Sequence, residues 1–194
     1  MKKGDIIEGV IEEYSFPNKG SFYYVEKDQN SGEDVTRKVS VKGALPGQTV
    51  KARVKKKREG KAEAILSDVV KKSSLETKKP MCNHFYECGG CSYQTMSYTH
   101  QLKIKEQMIK DILAPAIEAL ASEDASDGTF TWDGISGSPD QFRYRNKMEF
   151  TFGDYEKDGP LTLGLHRKNS THDILSIDSC AIVSPAWNAI LKYT

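Results

Sequence analysis

In Thr49-Val50-Lys51-Ala52-Arg53-Val54-Lys55-Lys56-Lys57, the residues Val50, Ala52 and Val54 alternate with Lys51, Arg53 and Lys55. An extended chain with this period of two carries one apolar face and one cationic face. On either side, residues 1–72 read as further short strands at Asp5–Tyr14, Ser21–Glu26, Thr36–Val41 and Lys61–Asp68. Turn signals at Pro17-Asn18-Lys19-Gly20, Ser31-Gly32, Pro46-Gly47 and Glu59-Gly60 separate them. Five such strands predict a small five-stranded barrel of the oligonucleotide-binding kind over 1–72.

Beyond the barrel, residues 73–80 are polar and Lys-rich and end in Pro80, the composition of a linker. Residues 81–194 then predict an α+β part, so the fold class is mainly β with an α+β part. A cysteine segment, Met81–Gln94, opens it. A helix is predicted over Ser97–Leu113, where Tyr98, Leu102, Ile109, Ile112 and Leu113 recur at near-helical spacing and Pro115 signals an end. A short helical turn through Ile117 and Leu120 and a small-residue acidic loop, Ala121–Gly128, follow. The strongest strand pattern is Phe142–Phe152, with Phe142, Tyr144, Asn146, Met148, Phe150 and Phe152 on one side and Arg143, Arg145, Lys147, Glu149 and Thr151 on the other. Leu161–Leu165 and Asp173–Ile177 complete an antiparallel sheet, and an apolar helix starts after Pro185.

The 194 residues carry 28 Lys+Arg against 27 Asp+Glu, a net charge of +1, so no global basic excess advertises a polyanionic partner. The charge is nevertheless uneven. From Lys51 to Pro80 there are eleven basic and four acidic residues, a local excess of seven, and the remainder is net acidic. No run approaches the ~18 apolar residues of a membrane helix, and Met1-Lys2-Lys3-Gly4-Asp5 lacks the apolar core of a signal peptide. These features predict a cytoplasmic protein without a membrane partner, with a monomer favoured. In that compartment four cysteines are metal ligands, reactive thiols or buried small hydrophobes before they are disulfides.

Their spacing narrows the choice. Cys82, Cys88 and Cys91 stand within ten residues as Cys-x5-Cys-Gly-Gly-Cys, and Cys180 lies far downstream. A Cys-x2-Cys pair wraps one metal or one cluster edge, and Gly89-Gly90 would allow positive φ so that backbone amides face sulfur. Four thiolates match a [4Fe–4S] cluster and equally match structural zinc. Three close cysteines with a remote fourth are commoner for clusters, whereas His84 and His100 keep a mixed zinc site open. Four unrelated buried thiols are the remaining reading.

Cys82-Asn83-His84-Phe85-Tyr86-Glu87-Cys88-Gly89-Gly90-Cys91-Ser92-Tyr93-Gln94, with Tyr98 and Gln101-Leu102-Lys103-Ile104-Lys105 after it, resembles the cluster segment of bacterial RNA (uracil-5-)-methyltransferases. The likeness extends through Phe142-Arg143-Tyr144-Arg145-Asn146-Lys147-Met148-Glu149-Phe150, Leu163-Gly164-Leu165-His166-Arg167 and the fourth cysteine followed by Pro185. Val41-Lys42-Gly43-Ala44-Leu45-Pro46-Gly47-Gln48-Thr49-Val50 is similar to the end of the TRAM domain, an RNA-binding barrel. The resemblance implies a [4Fe–4S] cluster on Cys82, Cys88, Cys91 and Cys180, and the branch acting on large-subunit (23S) ribosomal RNA. Family chemistry adds a cysteine to C6 of uracil and methylates C5 from S-adenosylmethionine. The Gly-rich loop, the Asp-Pro-Pro-Arg segment and the later cysteine that this needs find no match here. No catalytic residue and no S-adenosylmethionine-binding residue is therefore expected within the 194, which read as the N-terminal recognition portion, inactive in methyl transfer alone.

RNA contacts are expected from Lys51, Arg53, Lys55, Lys57 and Lys61 on the barrel and from Arg143, Arg145 and Lys147 beyond it, because phosphates reward Lys and Arg by counterion release. Lysines that protect a solvated strand edge and carboxylates opposite the arginines are the structural alternatives. Phe22, Tyr23 and Tyr24 read as at least half core, and His166 and His172 as lone surface groups. The competing functional reading is a free-standing RNA-binding module stapled by a metal, with no methyltransferase activity.

Overall fold

A computed structural model describes residues 1–28, 32–58, 60–122 and 130–194. The expected turns at Ser31-Gly32 and Glu59-Gly60 and the acidic loop Ala121–Gly128 fall partly or wholly outside the described residues. The chain divides into two compact units, Met1–Glu76 with Leu102–Ile135, and Thr77–Gln101 with Ser136–Thr194.

The first unit is built on β1 (Ile6–Val10), β2 (Glu13–Ser15), β3 (Lys19–Lys27), β4 (Asp34–Lys42), β5 (Thr49–Arg58) and β6 (Lys61–Lys71) in one sheet of order β1-β5-β6-β4-β3-β2. All pairings are antiparallel except β4 with β6. The single strand expected at Asp5–Tyr14 is divided. Its first half pairs with β5 and its second half with β3, while Ile11 donates its N–H to the Gln48 carbonyl (2.8 Å) and Glu12 donates to Ser21 (3.0 Å). One continuous stretch of chain thus joins the two edges of the sheet, so the β-barrel has six strands where five were expected.

Alternation decides what the barrel encloses. Val50, Ala52 and Val54 are buried while Lys51, Arg53 and Lys55 are exposed, as the period of two predicts. They share a core with Ile7, Ile11, Phe22, Val39, Val41, Ala44, Ala62 and Ala64. Gly9 lies where β1 crosses β3, and a Cβ there would stand 2.2 Å from the Phe22 ring, so no larger residue fits without movement. At the end of the barrel Ser73 and Gln48 both donate to the Glu76 carboxylate (2.9 and 3.0 Å), which ties the start of the expected linker to the unit.

The helix α1 (Tyr98–Ser122) runs through Pro115 rather than stopping there, and absorbs the separate turn expected at Ile117 and Leu120. Proline removes one i→i−4 hydrogen bond, a local cost of ~3 kcal/mol that a 25-residue helix absorbs. The apolar stripe is only partly covered: Met108 is buried, whereas Ile109, Ile112 and Leu113 are exposed. Beside it Trp132 donates its Nε1 hydrogen to Glu106 (2.6 Å) under the Lys110 ammonium (5.0 Å).

The second unit holds β7 (Thr151–Gly153), β8 (Thr162–His166) and β9 (Ile174–Ser176) in an antiparallel sheet of that order, followed by α2 (Pro185–Tyr193). Pro185 occupies the first turn of α2 after Ser184, where its missing N–H costs nothing. The long strand expected at Phe142–Phe152 shrinks to Thr151–Gly153. Arg143 adopts φ 59°, and the N–H groups of Arg143 and Arg145 go to the carbonyls of Ala181 (3.1 Å) and Ile182 (2.9 Å). Residues 142–145 therefore follow the 181–183 segment, not β8. Part of the apolar face survives, since Phe142, Met148 and Phe150 pack on a core of Leu175, Ile177, Ile182, Val183 and Leu191, while Tyr144 and Phe152 are exposed. Among the described residues no helix is long and apolar enough to cross a membrane.

Candidate functional site

All four cysteines are free and belong to the second unit. Cys88 and Cys180 are buried in its apolar core, and Cys91 packs against them. The segment that ends β8 positions the cysteine loop. Cys88 bridges Arg167, Gly89 donates to the His166 carbonyl (3.0 Å) and Lys168 donates its N–H to Glu87 (2.6 Å). Neither Gly89 nor Gly90 adopts the positive φ that their pairing suggests. Gly89 is needed for close approach, because a Cβ would stand 3.2 Å from the His166 carbonyl oxygen, and the Gly90 N–H does face the Cys88 sulfur at 3.4 Å.

Three side chains absent from the sequence-based site complete the surroundings. Asn188 on α2 accepts from the Cys180 N–H (2.9 Å) and donates to the Cys180 carbonyl (3.1 Å). Gln94 accepts from the Cys82 N–H (3.0 Å), and its own Nε2 is buried near the Cys91 sulfur without a well-formed hydrogen bond among the described residues. Lys168 is half-buried, donates to the Phe85 carbonyl (3.3 Å) and rests its ammonium 4.9 Å from the centre of the Phe85 ring. His84 meets Asp178 at 2.9 Å, so the residue two after Cys82 is tied to the residue two before Cys180.

Burial pushes the Cys88 thiol up from its ordinary pKa; the Gly90 N–H opposes this and the charges of Cys180 and Cys82 add to it. Cys91 is raised in the same way, chiefly by burial, with the Gln94 amide opposing and the other three cysteines adding. Burial lowers Lys168, while negative charge on Cys88 and Cys91 pulls it back up. Thiols held protonated in an apolar pocket are poor nucleophiles. Among the described residues no group of three or more His, Cys, Asp or Glu side chains is placed to hold a metal ion. A single zinc would draw its sulfurs to within ~4 Å of one another, given Zn–S bonds of ~2.3 Å. Thiolates that each bind a different iron of a cluster need not converge so closely. Four free thiols gathered in one unit against an apolar core are a donor set that suits either a cluster or a zinc ion.

The barrel cations fall into two groups. Lys51 lies beside Glu8 and Asp68 on its neighbours, whereas Arg53 lies between Ile6 and Ile65. A register shift between Val54 and Lys56 then resets the alternation: Lys56 pairs with Glu63, and Lys57 pairs with the buried Ala62. Lys57 thereby reaches Glu26 (2.8 Å), which also binds Arg37 and the N-terminal ammonium. Burial raises the Glu26 pKa, but these three cations outweigh it and hold the carboxyl at about 2. Lys61 is exposed and pairs with Lys38, which pairs in turn with Tyr23. Lys38 also bonds Glu13, the acceptor of the Tyr23 hydroxyl (2.7 Å). Of the three aromatic residues Phe22 is core, Tyr24 is partly buried and Tyr23 is exposed.

Arg143, Arg145 and Lys147 are exposed but form no straight row, since the left-handed Arg143 breaks the strand. Arg145 donates to the Lys147 carbonyl (3.2 Å), and Lys147 pairs with Glu149 at 2.9 Å. His166 and His172 are exposed.

No family model matches the chain. It is 41% identical over 192 residues to a protein of Clostridium acetobutylicum named an uncharacterized RNA methyltransferase, covering 99% of this chain and 38% of that protein. A similarly named protein of Caldanaerobacter subterraneus subsp. tengcongensis is 39% identical over 194 residues, again at 38% of its length. A 23S rRNA (uracil(1939)-C(5))-methyltransferase of a Marinomonas species is 32% identical over 145 residues, 75% of this chain and 29% of that protein.

Proposed function

Because this chain is homologous over its whole length to part of proteins named RNA methyltransferases, we propose that it is the RNA-recognition and [4Fe–4S]-binding portion of an S-adenosylmethionine-dependent 23S rRNA (uracil-5-)-methyltransferase working in the cytoplasm. The observation that carries this reading is the gathering of all four cysteines in one unit, with Cys88, Cys91 and Cys180 sharing one apolar core. Cys82, Cys88, Cys91 and Cys180 would hold the cluster. When bound, it supplies iron–thiolate bonds that staple the 82–91 loop to the segment before α2. Uracil methylation is no redox reaction, and four protein thiolates leave no ligand position for substrate, so the staple is structural.

Within this reading the barrel supplies phosphate contacts through Lys51, Arg53, Lys55 and Lys61 and one exposed aromatic, Tyr23. Methyl transfer is assigned to sequence outside these 194 residues. The test is anaerobic purification followed by a visible spectrum and iron, sulfide and zinc assays. About four irons and four sulfides per chain with broad visible absorption are expected for a [4Fe–4S] centre. One zinc and no iron would overturn the cluster and favour a free-standing module stapled by zinc. Methylation of uracil in ribosomal RNA by this chain alone would overturn the assignment of catalysis elsewhere.

A further inference from the structure

Gln94 follows the third cysteine by three positions, and the two ends of its amide have unequal fates. Oε1 accepts from the Cys82 backbone N–H at 3.0 Å, while Nε2 is shut away from water beside the Cys91 sulfur and makes no well-formed hydrogen bond among the described residues. A buried amide donor left unmade costs ~1–3 kcal/mol, and such an orphan beside a ligand set points to an acceptor supplied by what the set binds. We propose that Gln94 is a positioning residue of the four-cysteine site, holding Cys82 through Oε1 and donating through Nε2 to a metal-bound sulfur. This rests on the cluster reading and goes beyond it by assigning the donor that tunes the bound group.

Sulfur bound to iron accumulates negative charge when a cluster is reduced, and a hydrogen bond to it favours the reduced form and raises the potential. Oxidation of Gln94 or its participation in methyl transfer is not required; it acts through the sulfur alone.

The experiment uses the full 194-residue chain reconstituted anaerobically with ferrous iron and sulfide. Gln94→Met fills similar space without a donor, and Gln94→Glu keeps the acceptor for Cys82 while losing the donor at pH 8. Both are expected to show a lower midpoint potential and faster bleaching in air than the wild type. The iron–sulfur Raman bands are expected to shift less on transfer into D2O in Gln94→Glu. A Gln94→Met potential equal to the wild type, or D2O shifts equal in Gln94→Glu and wild type, would overturn the donor role while leaving the cluster in place. If Gln94→Met retains no iron, the D2O comparison decides. A wild-type chain that binds no iron would instead remove the cluster reading, and this inference with it.

Discussion

Asn188 closes both backbone groups of Cys180, its Oδ1 accepting the N–H at 2.9 Å and its Nδ2 donating to the carbonyl at 3.1 Å. A side chain on α2 thus mimics a strand partner for the remote cysteine. The loop that carries Cys180 is held by a helix. Each neutral hydrogen bond is worth ~1 kcal/mol net. Asn188→Ala is expected to lower the stability of the second unit by about 1–2 kcal/mol in a urea melt. Asn188→Asp keeps the acceptor, loses the donor and places a carboxylate against the Cys180 carbonyl, so it is expected to reduce stability as well. A melt of Asn188→Ala that superimposes on the wild type would show the clamp to be idle.

At the crossing of β1 and β3 the expected effect comes from volume. Gly9→Ala puts a methyl group 2.2 Å from the Phe22 ring, and overpacking of this size costs ~1–3 kcal/mol. Phe22→Leu alone removes packing from a fully buried position and destabilises too. Combined, the pair should lose less than the sum of the single losses, because each change relieves part of the other. Strict additivity in denaturation curves would mean that the crossing relaxes some other way.

Much of this was legible beforehand. The alternation in Thr49–Lys55 fixed which face of β5 is core, and the turn signals around Pro46-Gly47 placed its start. The cysteine spacing pointed to one site, and all four cysteines do fall in one unit, where no group of three or more potential ligands among the described residues is placed to hold a metal ion. The tie of Lys57 to Glu26 was not legible, because a bulge depends on the partner strand: nothing in Lys55-Lys56-Lys57 says that Glu63 will pair with Lys56. Phe142–Phe152 alternates as well as any strand, yet its N–H groups are claimed by Ala181 and Ile182, some forty residues on. Asn188 and Gln94 belong to no ligand pattern. Their only trace is an amide placed eight residues after one cysteine and three after another, which periodicity cannot weigh.

Glu26 makes the barrel sensitive to acid. Its carboxyl is held at about 2, below its ordinary value of 4.5, by Lys57, the N-terminal ammonium and Arg37 against the opposing effect of burial. A folded-state pKa below the unfolded one means that the unfolded chain takes up the proton first. The ion pairs therefore contribute fully above about pH 4.5, and their contribution is lost as the pH falls through about 2. In Glu26→Gln the stability at neutral pH should be lower and its decline over that window shallower. Parallel pH profiles of the two proteins, followed by denaturant melts at each pH, would exclude Glu26 as the source.

Arg53 and Lys57 are both cations of β5, and the bulge between them predicts opposite behaviours. Arg53 is exposed between Ile6 and Ile65 with no carboxylate directly across on either neighbour, so it is available to a phosphate. Lys57 is drawn to Glu26 at 2.8 Å and to the Met1 carbonyl at 3.3 Å. Losing one phosphate contact on a single strand reduces the slope of log affinity against log salt by ~0.7. Arg53→Gln is therefore expected to weaken binding to a single-stranded ribosomal RNA fragment, flatten the salt dependence by about that amount and leave the melting curve unchanged. Lys57→Gln should do the reverse, lowering stability through the loss of a Glu26 partner while keeping the salt slope. Fluorescence anisotropy titrations at several salt concentrations, paired with thermal melts, separate the two. Equal salt slopes for Arg53→Gln and wild type would take Arg53 out of the RNA interface, and a flattened slope for Lys57→Gln would put Lys57 into it.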